Sequence, residues 1–378
     1  MATTQIQTDF ATTRGADSPR AMGRRPPQIL ADLIAPTGVR FNGDQPWDIR
    51  IHDDSVYARA LRHGTLGFGE AYMDGAWDSE RLDETITRLL SHDLDTRIHG
   101  VAKLRFALGW LREVLVNRQS KARAFQVGEH HYDIGNDVYR AMLDSTMSYS
   151  CGYWEQAVDL EQAQQAKLAL IARKLELVPG QRVLDIGCGW GGLSQYLAAH
   201  QGVEVVGITI SRDQQRLAEA RCAGLPVEIR LMDYRDLPQR DGTGFDRIVS
   251  VGMFEHVGPK NYPAYFATAA RLLRDEGLFL LHTIGAYRTM PTPDPWIDRY
   301  IFPNGRVPAA QQIARAIEPH FLLEDWHNFG QDYDRTLMAW WHNFDAAWPQ
   351  LRSARYDERF YRMWKYYLLS CAGMFRAR

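Results

Sequence analysis

One stretch restricts the fold of this chain more than any other: Arg182-Val183-Leu184-Asp185-Ile186-Gly187-Cys188-Gly189-Trp190-Gly191-Gly192. An apolar run carrying Asp185 stops at four glycines, and a helix-like segment follows. That is the strand–turn–helix of a nucleotide-binding unit. Gly187 and Gly189 remove side chains where backbone must come close to a ligand. Gly187, Gly189 and Gly192 also match the dinucleotide fingerprint, so the glycines alone do not separate the ligands. Two neighbours do. The next strand, Glu204–Ile210, lacks the terminal acid that a nicotinamide cofactor's ribose needs. Trp190 puts bulk where a pyrophosphate needs room. A tight structural turn is the alternative, and Asp185 beside the glycines favours a ligand.

Around this turn strands and helices alternate. Strands are expected at Val183–Ile186, Val203–Ile210, Val227–Met232, Phe245–Val251 and Gly277–Thr283, with a sixth candidate at Phe321–Trp326. Helices are expected at Asp159–Leu177, Leu193–His200, Asp213–Ala223 and Tyr262–Leu273. The alternation predicts an α/β, doubly wound, mostly parallel sheet covered on both faces. Ligands in such sheets bind beyond the carboxyl ends of the strands. The informative residues are therefore Gly187–Gly192, Thr209–Gln214, Asp233-Tyr234, Gly252–His256 and His282–Gly285.

Upstream, residues 1–27 read as a disordered tail and 28–92 as a small α+β domain. Within it, Gln28–Ile34, Ser55–His63 and Arg81–His92 read as helices. Val39–Phe41 and Trp47–His52 read as strands. Gly64–Gly75 reads as a structural turn entering a helix, because no Lys-Ser/Thr follows as a phosphate loop requires. Residues 93–125 form a linker. Its segment 101–125 sets six basic side chains against Glu113 alone, which suits a helix on an anionic membrane or a solvated linker helix. Residues 126–378 form the catalytic domain. Fourteen of the fifty residues Trp326–Phe375 are aromatic, against 11% for the chain. They suit a helical packing cluster, or a wall around an apolar substrate or transient cation.

A formal charge of −2 gives no global field toward nucleic acid, and no nucleic-acid partner is expected. Cys151, Cys188, Cys222 and Cys371 show neither metal nor disulfide spacing, so a reducing cytoplasm is expected. No run approaches a membrane span. His130, His131 and His256 lack a third ligand at suitable spacing, and no metal is expected.

The strand ends suit S-adenosylmethionine better than a dinucleotide. That ligand has no phosphate, so its loop needs glycines but no cation. Asp233 offers an acceptor to an adenine amine. Thr209 and Gln214 offer hydrogen bonds to ribose hydroxyls.

At this point the sequence resembles the cyclopropane-fatty-acyl-phospholipid synthases. The resemblance rests on His130-His131-Tyr132-Asp133-Ile134-Gly135-Asn136-Asp137, Tyr149-Ser150-Cys151-Gly152-Tyr153-Trp154, the glycine turn and Thr209-Ile210-Ser211. It continues with Val251-Gly252-Met253-Phe254-Glu255-His256-Val257-Gly258 and Leu281-His282-Thr283-Ile284-Gly285. Asp294-Pro295-Trp296-Ile297, Tyr300–Gly305 and Glu324–Gly330 complete it, roughly over residues 40–378.

The resemblance implies a seven-stranded methyltransferase-type sheet. It implies cofactor contacts from Tyr149, Ser150, Asp185, Gly187, Gly189, Gly191, Thr209, Gln214, Asp233 and Tyr234. The substrate it implies is an unsaturated acyl chain in a membrane phospholipid, reached from the inner face by a peripherally bound homodimer. An alkene attacks a sulfonium methyl only when aligned and dry, and the carbocation formed must lose a proton to close the ring. The family implies a bound bicarbonate as the base, held by Cys151, Glu255, His282, Tyr333 and the backbone of Ile284. Cys371 matches a cysteine proposed as catalytic, although this chemistry needs no thiol nucleophile; a small wall residue is the alternative. Tyr333 is expected on a loop after the sixth strand.

The family's sheet continues with one further strand beyond Arg378. Either the sequence is shortened or the sheet edge is open. Other readings are an enzyme that methylates the alkene without closing a ring, a non-catalytic lipid- or cofactor-binding protein, and a small-molecule or nucleic-acid methyltransferase on the same fold.

Overall fold

The computed structural model describes residues 25–92, 119, 134–237, 244–290 and 292–377. Apart from residues 25–27 and Gln119, the expected tail, the basic 101–125 run and the His130-His131 pair lie outside the described residues.

In chain order the elements are α1 (Gln28–Ile34), β1 (Arg50–Ile51), α2 (Ser55–His63), α3 (Thr65–Met73), β2 (Trp77–Asp78), α4 (Leu82–Leu90), α5 (Asn136–Met142) and α6 (Leu160–Lys174). There follow β3 (Arg182–Ile186), α7 (Gly192–Gln201), β4 (Glu204–Thr209), α8 (Arg212–Arg221), β5 (Val227–Leu231), β6 (Phe245–Val251), α9 (Tyr262–Leu272) and β7 (Leu273–His282). Last come α10 (Pro295–Tyr300), α11 (Ala310–Ile317), α12 (Gln331–Leu351) and α13 (Glu358–Ala377).

Local chemistry sets many of these boundaries. Asp159 caps α6 by accepting from Gln162 N at 2.8 Å, and Ser211 caps α8 through Gln214 N at 3.3 Å. Gly202, at φ 64°, ends α7 in the left-handed conformation that glycine adopts without strain. The doubly wound sheet is observed: five parallel strands in the order β5-β4-β3-β6-β7, with helices between them. β3 and β4 are buried along nearly their whole length, as inner parallel strands require. Chain direction across the sheet reverses between β3 and β6. That is the switch point, and it lies beside the glycine turn. The register pairs Val251 with His282, and Gly252 N donates to His282 O at 2.9 Å. The ends of β3, β6 and β7 therefore open onto one crevice.

Four expectations change. Val39–Phe41 forms no strand, and Phe41 makes only an isolated bridge with Ile49. Phe321–Trp326 forms no strand, and Leu322 and Trp326 are exposed. The outer edge of β7 has no strand beside it among the described residues. The sheet thus shows five strands, not seven, among the described residues. Tyr333 lies in the first turn of α12, not on a loop. Finally, Gly64–Gly75 is mostly the helix α3. Its glycines serve close packing: a Cβ on Gly67 would sit 2.2 Å from Arg59 O, and one on Gly69 would sit 2.5 Å from the Trp296 ring.

The small N-terminal part pairs β1 with β2 antiparallel, a strand the sequence did not signal. One aromatic core joins it to the C-terminal helices through Tyr72, Trp77, Trp296, Trp340, Trp364 and Tyr366. Polar contacts reinforce the join. Arg362 donates to Tyr72 O at 2.6 Å and to Trp77 O at 2.9 Å. Arg376 reaches both Asp83 and Asp334. The aromatic-rich C-terminus is therefore mainly packing, with one face left for the crevice.

Candidate active site

A cavity of about 1940 Å³ opens at the switch point. Its walls come from the glycine turn, the 146–151 segment, the ends of β6 and β7, and the first turn of α12. Among the described residues no cluster of His, Cys, Asp and Glu is placed to hold a metal.

At the cofactor end, Gly187 and Gly189 adopt φ of 87° and 55°, values that favour glycine. A Cβ on Gly187 would meet Met253 at 2.7 Å, whereas one on Gly189 finds nothing nearer than Gln214 Nε2 at 4.0 Å. Gly189 therefore borders open space. Asp185 is buried at the end of β3, and its carboxylate accepts from Ser194 Oγ at 2.7 Å. Burial pushes its pKa up to about 7, with the Ser194 bond opposing. Tyr149 lines the cavity, bonded to the Tyr367 hydroxyl at 2.8 Å. Ser150 and Gln214 line it too.

Four expected cofactor residues point elsewhere. Asp233 is buried, and Arg235 engages both of its oxygens at 2.7 and 2.6 Å. It is an ion-paired cap, not an open acceptor for an adenine amine. Tyr234 packs edge-on against Tyr265. The Thr209 hydroxyl is spent on Gln214 at 2.8 Å and on Ser211 N at 3.2 Å. Gly191 caps α7 with φ 81°, where a Cβ would sit 2.9 Å from Ala218. None of the four lines the cavity. Trp190 packs against Tyr139 and donates to Asn136 at 3.0 Å.

The reaction end brings the other predicted residues together. Cys151, Glu255, His282, Ile284, Tyr333 and Cys371 all line the cavity. Ile284 N donates to Glu255 Oε1 at 2.7 Å, so this amide orients the carboxylate instead of facing a ligand. Glu255 Oε2 and His282 Nδ1 are buried with no hydrogen-bond partner among the described residues. Buried polar atoms left unmatched mark a place for a ligand or water.

Burial sets the protonation states here. It raises Glu255, with the Ile284 amide opposing. It lowers His282 to about 3, helped by the charge of Lys167, so the imidazole is neutral. Its ring stacks on Phe329 at 5.3 Å. Burial pushes Cys151 to about 12, as does Asp332, and pushes Cys371 to about 12. Both are neutral thiols at physiological pH, which suits Cys371 as a wall residue and not a nucleophile. Tyr333 is raised first by burial, then by charge on Cys151, Glu255 and Cys371, the groups that surround it. Together they make a largely buried pocket of uncharged donors beside one oriented carboxyl.

Sequence reasoning missed the residues that hold this arrangement. Thr336, fully buried, accepts from Gly152 N at 3.0 Å and from Trp154 Nε1 at 2.8 Å. Asp332 accepts from Trp154 N at 2.7 Å. Partners so far apart in sequence leave no local signal. Lys167 was also missed, although its place in the apolar stripe of α6, with Ala163, Leu168 and Ile171, was a readable anomaly.

With this geometry in view, comparisons with known proteins agree. Residues 119–378 match the family model described as mycolic acid cyclopropane synthetase. The chain is 54% identical over 351 residues to the cyclopropane-fatty-acyl-phospholipid synthase of Escherichia coli, covering 93% of this chain and 90% of that one. It is 35% identical to a tuberculostearic acid methyltransferase of Mycobacterium tuberculosis, covering 97% and 90%. Among solved structures, a mycolic acid cyclopropane synthase complexed with SAH and CTAB is similar with a TM-score of 0.60 and 33% identity, covering 67% of this chain and 94% of that one.

Gly189→Val should abolish detectable S-adenosylhomocysteine binding in a folded protein. A β-branched side chain at φ 55° is strained and fills the space beside the turn. Calorimetric titration is the check, and unchanged affinity would remove the glycine turn from the cofactor site.

Proposed function

Because the chain belongs to the mycolic acid cyclopropane synthetase family, we propose that it is an S-adenosylmethionine-dependent cyclopropane-fatty-acyl-phospholipid synthase. It adds a methylene across the double bond of an unsaturated acyl chain in a membrane phospholipid. The observation that carries this reading is that Glu255, His282, Tyr333 and Cys151 line one cavity with the glycine turn.

S-adenosylmethionine, when bound, supplies an electrophilic methyl group. The cavity walls exclude water, and their aromatic faces at Tyr149, Phe302 and Phe329 suit a transient carbocation on the acyl chain. That cation must lose a proton for the ring to close. His282 and Cys151 are unsuited as bases: burial keeps the imidazole a very weak base and the thiol protonated. The unmatched Glu255 Oε2 and His282 Nδ1 fit a small oxyanion, and bicarbonate is the base we assign. When bound, it supplies proton acceptance without a charged side chain. The Tyr333 hydroxyl would donate to it, the Cys151 thiol, which donates to Gly152 O at 3.3 Å, would line its wall, and Glu255, oriented by Ile284, would accept its hydroxyl proton.

A basic segment at 101–125, six cations against one acid, supports peripheral attachment to the inner membrane face. No described helix is long and apolar enough to cross a membrane. Co-sedimentation with anionic phospholipid vesicles should fall steeply from low to high salt. Salt-independent binding would contradict the electrostatic part of this reading. The homodimer rests on the family resemblance, and sedimentation analysis tests it.

Methyl-labelled cofactor and cis-monounsaturated phospholipid vesicles test the reaction. The acyl product should carry the label in a cyclopropane ring; a methyl branch would establish the non-cyclising reaction instead. In carbonate-depleted buffer, turnover should rise with added bicarbonate. Tyr333→Phe and Glu255→Gln should each lower kcat by about 10²–10⁴ while sparing cofactor affinity. A parent rate independent of bicarbonate would force a side chain into the role of base.

A further inference from the structure

Lys167 points into the molecule from α6 and is 2% exposed. Burying an ammonium without a counter-charge is costly. Among the described residues its hydrogen bond is to Ser150 Oγ, at 2.9 Å, and no carboxylate forms an ion pair with it. Asp144, the nearest acid to influence it, has its oxygens engaged by Thr146 N and Ser148 N, each at 2.9 Å. Burial lowers the Lys167 pKa to about 8, with Asp144 and Cys151 opposing, so the group stays charged at neutral pH.

The direction of the Ser150 bond follows from valence. An ammonium donates and cannot accept, so Ser150 Oγ is the acceptor and its own hydroxyl hydrogen must point elsewhere. Gln164, one turn earlier on α6, fixes the same segment by donating to Ser148 O at 3.4 Å and Ser150 O at 3.0 Å. Both Ser150 and Lys167 line the cavity with Glu255 and His282. The charge of Lys167 is felt at Cys151 and at His282.

We propose that Lys167 and Ser150 form an oxyanion-binding pair, in which the Ser150 hydroxyl donates to a carboxylate-type oxygen in the cavity and Lys167 is the buried counter-charge behind it. Lys167 acts through Ser150 and is a positioning residue. Two ligands bring such an oxygen: the methionyl carboxylate of the cofactor, and the small oxyanion assigned above. Only the second rests on the bicarbonate reading.

The test compares Lys167→Met and Ser150→Ala with the parent, using three probes: S-adenosylhomocysteine, 5′-methylthioadenosine (which lacks the carboxylate) and sodium bicarbonate. If the cofactor carboxylate is the partner, affinity for S-adenosylhomocysteine falls about 10- to 100-fold while 5′-methylthioadenosine stays within about twofold. If the small oxyanion is the partner, both nucleosides bind as in the parent and the KM for bicarbonate rises by a similar factor at unchanged kcat. Either pattern, seen in both variants, supports the pair. Equal weakening of the two nucleosides, or no change with any probe, overturns it. Should Lys167→Met fail to fold, Ser150→Ala decides alone, since it removes only the hydroxyl. A parent without bicarbonate dependence removes the second ligand and leaves the two nucleosides to decide.

Discussion

The buried hydroxyl of Thr336 holds the site together. It donates to Asp332 O at 2.8 Å and accepts from Gly152 N and Trp154 Nε1. All of its hydrogen-bonding capacity is used, and Asp332 adds a bond to Trp154 N. This clamp joins the first turn of α12 to the segment that carries Tyr149, Ser150 and Cys151. Tyr333 follows Asp332 directly, so the clamp fixes where its phenol enters the cavity that Glu255 and His282 also line. Without it, the sheet ends would still gather a cofactor crevice, but one wall would lack its hydroxyl.

Burial then governs the chemistry. Burial lowers His282 to about 3 and raises Cys151 and Cys371 to about 12, so all three are neutral at physiological pH. These three side chains are therefore poor proton acceptors. On the function we propose, a small bound oxyanion held by uncharged donors would be the base such a site uses. Lys167 is a further buried titratable group, an amine bonded to the Ser150 hydroxyl.

The elements with local end signals were the most legible in the sequence. Ser55–His63 and Phe245–Val251 appear with the expected bounds, because their periodicity and end signals are local. Glu255, His282 and the glycine turn could be placed at one mouth because parallel strands send their ends the same way. What was not legible depended on distant partners. Asp233 had the right position for adenine, yet Arg235 two residues on takes its carboxylate. Gly67 and Gly69 looked like a turn because the close approach of Arg59 and Trp296 leaves no mark on the local pattern. Tyr333 was placed on a loop because Phe321–Trp326 has a strand's composition, yet it pairs with no strand.

A double-mutant cycle between Thr336→Val and Tyr333→Phe tests the clamp most directly. The measurement is kcat for the parent, both single variants and the double variant, with S-adenosylhomocysteine affinity as the check on the folded site. If Thr336 acts by placing the Tyr333 hydroxyl, the double variant should be about as slow as Tyr333→Phe alone, a strongly non-additive result. Losses that simply multiply would contradict this, and would mean that α12 supports the fold without positioning the phenol.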